Sequence, residues 1–145
     1  MKPEIEDLIP HRPPFLWVDR VVSFSDDCIH TEKYFPPDLE CFRGHYPGNP
    51  IMPGVLLCEA IFQSGALLMS KRNPVNEPRT NQIPILTRIG GAKFKKPVLP
   101  GDTAQIKVTL NEIMSAAFFF QGTLKVDNKV AVSVDFVCAM VTSSP

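Results

Sequence analysis

Glu59 stands inside the run GVLLCEAIFQSGALLMSKR, with Val55, Leu56, Ala60, Phe62 and Ala66 around it by sequence or helical turn. An ionised carboxylate is costly to bury, so a glutamate there must be paired, hydrogen-bonded or protonated. Gln63 follows four residues later, on the same helix face, in position to orient the carboxyl group by a hydrogen bond. A tether to a neighbouring strand through an arginine or a backbone N–H is the simpler alternative. Just upstream, RGHYPGNPIMPG sets His45 among glycines and prolines. A neutral imidazole can accept a proton near neutral pH, although a loop histidine is more often an ordinary hydrogen-bonding residue. His11 and His30 have no comparable setting and are read as ordinary residues of that kind. Gly54 follows Pro53 where a helix should begin, so its N–H lacks an intrahelical acceptor and a ligand can approach it closely. Fitting a tight turn is the other use of that glycine.

Together these groups describe one reaction class. Removing water from a 3-hydroxyacyl thioester needs a base for the C2 proton and an acid for the departing C3 hydroxyl. It also gains from a donor that polarises the thioester carbonyl. His45 can be the base, Glu59 the acid and the Gly54 N–H the donor, with Met52, Pro53 and Gln63 as further candidate substrate-binding residues. Burial favours the protonated glutamate that the acid role requires.

These residues need elements to hold them. Residues 3–8 read as a short helix, Phe15 to Phe24 and Cys28 to Tyr34 as two strands, and Pro36 to Pro53 as one long loop. Pro53 suits a helix start, and the helix should run to about Arg72, stopping before Asn73–Pro74. Apolar residues occupy nearly every face of it, so it needs burial all round. Ile83 to Lys96, Ala104 to Leu110, Ala117 to Val126 and Val130 to Met140 read as strands, with Asp127–Asn128 as a hairpin turn. The fold class is therefore α+β, with about five to six antiparallel strands wrapped around one long buried helix. Residues 1–145 read as a single domain.

Bulk properties narrow the function. Fifteen basic residues balance fifteen acidic ones, which argues against a general nucleic-acid binder. The apolar run from Gly54 to Met69 is too short for a membrane span and carries Glu59 and Gln63. Cys28, Cys41, Cys58 and Cys138 are widely spaced and suggest neither a zinc site nor a disulfide framework, which points to reduced thiols in a cytoplasmic protein. No metal or cofactor is expected. Lys93, Lys95 and Lys96, with Arg88, are read either as a solvated strand face or as a basic patch for an acidic carrier protein.

Four blocks carry a family resemblance. LIPHRPPFLWVDRVV, GHYPGNPIMPGVLLCEAIFQ, AKFKKPVLPGD and VDFVCAMV resemble, in order, segments of the (3R)-hydroxyacyl-acyl-carrier-protein dehydratases of fatty-acid synthesis, the FabZ type. The resemblance implies a hotdog fold and matches His45 to the catalytic histidine. It matches Glu59 to the catalytic acid and Gly54 to the glycine whose N–H holds the thioester carbonyl. It also implies a homodimer whose sites take histidine and glutamate from different subunits, often grouped as a trimer of dimers, with acyl carrier protein as partner. Glutamate at position 59 resembles the plain dehydratases; dehydratase-isomerases usually carry aspartate. The sequence departs from the common pattern at Pro13, Trp17, Tyr46 and Gly90–Gly91. The rival functions are a hotdog acyl thioesterase and a non-catalytic acyl-binding hotdog protein.

Overall fold

The computed structural model describes residues 5–72 and 82–142. The expected helix stop at Asn73–Pro74 and the start of the first short helix lie outside them. The elements run α1 (Ile5–Leu8), β1 (Arg20–Phe24), β2 (Cys28–Tyr34), α2 (Cys41–Gly44), α3 (Gly54–Arg72), β3 (Gln82–Phe94), β4 (Thr103–Met114), β5 (Ala117–Val126) and β6 (Lys129–Thr142). Six antiparallel strands form one sheet in the order β1-β2-β4-β5-β6-β3, and the sheet curls over α3. This is the hotdog arrangement.

α3 is the axis of the core. Residues 60–70 are buried without a break. Ile61, Leu67 and Leu68 are fully enclosed, each contributing roughly 2 kcal/mol by apolar burial. The polar groups carried inward are satisfied: Ser64 Oγ shares a 2.7 Å hydrogen bond with Thr31 Oγ1 and another of 2.9 Å with the Ala60 carbonyl. β4 alternates buried and exposed residues, as Ala104, Ile106, Val108 and Leu110 require. The sheet presses on the helix at Gly122, where an added Cβ would sit 2.2 Å from Ile61 Cγ2. Gly122→Ala is therefore expected to lower stability by about 2–3 kcal/mol through overpacking, read as a lower midpoint in urea unfolding.

Four local expectations differ from the structure. The first strand begins at Arg20, not Phe15. Backbone groups of residues 15–17 bond to the side chain of Gln63 instead of a neighbouring strand: the Trp17 N–H donates to Gln63 Oε1 at 2.7 Å, and Gln63 Nε2 donates to the Phe15 carbonyl at 2.9 Å. The loop from Pro36 to Pro53 contains the helical turn α2. Pro53 precedes α3 as its cap, its carbonyl accepting the N–H groups of Leu56 and Leu57 at 3.0 and 3.2 Å. The β6 alternation also breaks. Ala131, on the polar phase of the pattern, is fully buried, because a register shift against Leu124 and Lys125 leaves it as the extra residue of a bulge. The hairpin at Asp127–Asn128 has φ of 51° and 66°, which these two residue types tolerate.

Candidate active site

His45 ends α2: its N–H donates to the Cys41 carbonyl at 3.1 Å. Its Nδ1 lies 2.7 Å from the Ile51 carbonyl. A carbonyl oxygen only accepts, so Nδ1 carries the proton and Nε2 keeps its lone pair. The ring is half-buried and rests on Tyr46, whose centroid is 4.5 Å away. Tyr46 has φ of 57°, a left-handed conformation that costs a non-glycine residue about 1 kcal/mol or more. The Asn49 N–H closes this turn on the Tyr46 carbonyl at 2.9 Å.

A cavity of about 410 Å³ opens beside the ring, lined by His45, Tyr46, Gly54, Phe94, Lys95 and Lys96 among others. Gly54 is the first residue of α3, and its N–H meets no acceptor among the described residues. An added Cβ at this position would come within 2.8 Å of Phe94 Cε1. Met52 is buried and also lines the cavity, fastened by its N–H to the Val98 carbonyl at 2.8 Å. Pro53 contributes the cap and is not part of the lining. Of the basic residues, Lys95 and Lys96 border this cavity. Arg88 lines a different one with Asp135 and Glu112.

Glu59 occupies a separate setting. Gln63 Nε2 donates to Glu59 Oε2 at 2.9 Å, the contact that the four-residue spacing predicts. Desolvation pushes the Glu59 carboxyl above the ordinary carboxylate range, opposed by that hydrogen bond. Cys58 and Cys138 lie close enough to feel its charge. Burial, then Glu59, raises both thiols, that of Cys138 to about 12, so neither is a thiolate nucleophile at neutral pH. His11 is the residue that sequence reasoning missed. Its Nε2 lies 3.6 Å from Glu59 Oε2. Burial, aided by the Arg12 charge, lowers His11. With Glu59 raised and His11 lowered, burial disfavours the charged form of both partners in this contact. Nothing local marks His11, because the contact joins segments far apart in sequence.

No hydrogen bond or ion pair among the described residues joins His45 to Glu59, and Glu59 is not in the lining of the His45 cavity. The described residues hold no cluster of three or more histidines, cysteines and carboxylates that could bind a metal. No helix among them is long and apolar enough to cross a membrane.

The FabA-like domain family matches residues 9–135. A 3-hydroxyacyl-acyl-carrier-protein dehydratase FabZ of Vibrio campbellii is 39% identical over 137 residues, 94% of this chain and 90% of that protein. A FabZ of Caulobacter sp. (strain K31) is 40% identical over 149 residues, 98% of this chain and 86% of the relative. Among solved structures, the dehydratase heterocomplex ApeI:P from Xenorhabdus doucetiae superposes with a TM-score of 0.84 at 16% identity, covering 98% of this chain and 93% of that one. A thioesterase from Haemophilus influenzae gives 0.64 at 14% identity, covering 85% and 78%. At such identities the two structures bear on the fold alone. The family and the close relatives agree with each other over nearly the whole chain, and the chain belongs to the FabA-like family as a FabZ-like hotdog dehydratase.

Proposed function

We propose that this single-domain hydro-lyase dehydrates (3R)-3-hydroxyacyl thioesters on acyl carrier protein to trans-2-enoyl thioesters, in fatty-acid or related polyketide-type biosynthesis. His45 Nε2 takes the C2 proton. The electrons of the C2–H bond form the C2=C3 double bond as the C3–O bond breaks. Glu59 gives its proton to the departing hydroxyl, which leaves as water. The Gly54 N–H, at the positive end of α3, holds the carbonyl oxygen and acidifies C2. Proton exchange with solvent then restores neutral His45 and protonated Glu59.

The observation that carries this reading is the fixed tautomer of His45. Its Nδ1 proton is committed to Ile51, so the lone pair that a base needs sits on Nε2. The raised Glu59 supports the complementary acid role. The separate settings of the two residues within one chain support sites shared between the subunits of a homodimer. A partner also has apolar surface to cover: β3 is an edge strand with Ile85, Leu86, Ile89 and Phe94 exposed. A trimer of dimers is the larger assembly expected. All four cysteines are unpaired, in keeping with work in the reducing cytoplasm.

The competing reading is thioester hydrolysis on the same fold. Incubation with a 3-hydroxyacyl carrier-protein thioester, followed by mass, separates the two. The dehydration reading predicts loss of one water with the thioester intact; free thiol without enoyl product contradicts it. Gly54→Ala is expected to raise KM and lower kcat together, by about tenfold or more in kcat/KM, as its methyl group meets Phe94 and obstructs the N–H.

A further inference from the structure

His11 is held against Glu59 by a strap of residues tied to the same helix. The Ile9 N–H donates to the Ile5 carbonyl at 3.1 Å, and the Phe15 N–H to the Arg12 carbonyl at 2.8 Å. Arg12 Nη1 donates to the Ile9 and His11 carbonyls, both at 2.8 Å, and its Nε pairs with Glu6 Oε1 at 3.2 Å. The guanidinium is thus spent on α1 and on the strap backbone. Gln63 fastens the other end through Phe15 and Trp17 and donates to Glu59 with the same amide nitrogen that holds Phe15. One amide therefore fixes both the strap that carries His11 and the carboxyl it faces. The His11 Nδ1 is buried and has no hydrogen-bond partner among the described residues, so none of them offers an acceptor there to stabilise an imidazolium.

We propose that His11 is a positioning residue for the dehydration: an uncharged imidazole strapped over Glu59, it keeps water and positive charge away from the carboxyl and so keeps Glu59 a proton donor. This rests on the reading of Glu59 as the acid. The groups facing Glu59 fit that role. Gln63 and Cys58 come from α3, Cys138 from β6 and His11 from the strap, and all are neutral near neutral pH. Protonating His11 would set a cation 3.6 Å from Oε2 and favour the carboxylate, which has no proton to give. Removing the ring would admit water and favour the carboxylate for a second reason.

The test measures kcat and KM for enoyl formation across pH in wild type, His11→Ala, His11→Gln, His11→Lys and Glu59→Gln, with melting curves for each. His11→Lys should lose about tenfold or more in kcat at neutral pH with little change in KM. In His11→Ala the alkaline fall of kcat, where Glu59 loses its proton, should move to lower pH by about one unit. Glutamine, polar and uncharged, should recover most of the kcat that lysine loses and restore the alkaline limb. A folded His11→Lys as active as wild type overturns the proposal. So does an unmoved limb in His11→Ala, or a His11→Gln as impaired as the lysine variant while melting normally. An active Glu59→Gln overturns a different statement, that Glu59 is the acid. Inactive Glu59→Gln beside an unmoved limb in His11→Ala sinks the His11 role alone.

Discussion

Replacing His45 with alanine is expected to lower kcat for enoyl formation by a factor of about 100 to 1,000 and to leave KM nearly unchanged. That is the scale on which a positioned general base contributes. The ring makes two structural contacts, the Nδ1–H bond to the Ile51 carbonyl and the face on Tyr46. Both lie at the surface end of the loop, with Tyr46 61% exposed, so their loss costs little stability. The α2 cap is a backbone bond from the His45 N–H and survives the substitution. Activity should therefore fall without a matching fall in Tm. His45→Asn sharpens the point. Its amide can still donate to the Ile51 carbonyl, yet it offers no basic nitrogen, so the loop is kept and the reaction is lost. Steady-state kinetics beside circular-dichroism melting checks both statements, and activity within tenfold of wild type in either variant removes the base role.

Glu59→Gln is expected to lose activity on a similar scale and to gain stability. The glutamine keeps an oxygen for the Gln63 amide to bond, so the local hydrogen bond persists. It has no ionisable proton for the leaving hydroxyl. The stability gain follows from desolvation, which raises Glu59 above its ordinary 4.5. Between that value and its raised folded value, the native protein holds a proton that the unfolded chain has released. Native stability therefore falls as pH rises through this window, and above it the whole cost of burying the carboxylate is present. The variant carries no such cost. Its Tm should match wild type at acid pH and exceed it by a few degrees at alkaline pH. Equal Tm values across pH would show that Glu59 ionises at no expense and would remove the physical reason for calling it a buried acid.

Much of this was legible in the sequence because it is written locally. The apolar faces of α3 run through adjacent residues, the alternation of β4 lies within one strand, and the Glu59–Gln63 pair is one helical turn. What escaped notice depends on partners far along the chain. Residues 15–19 have strand-like composition, but the backbone at 15–17 bonds to Gln63 rather than to a neighbouring strand, and no periodicity reveals that. Ala131 leaves its alternation at a bulge fixed by the partner strand. His11 looked ordinary because its significance is a distance to Glu59 across the fold. His45 was conspicuous through its family segment, while its tautomer, the feature that gives it a free lone pair, required the Ile51 carbonyl to be located in space.

A hybrid dimer of His45→Ala and Glu59→Gln chains tests most directly whether these two residues form the working pair. The chains would be coexpressed with different tags and purified through both. In a symmetric dimer with sites shared between subunits, one site of the hybrid loses both groups and the other keeps both. Each variant alone should be inactive, and the hybrid should recover about half the wild-type rate of enoyl formation. A hybrid as inactive as its parents would contradict that pairing.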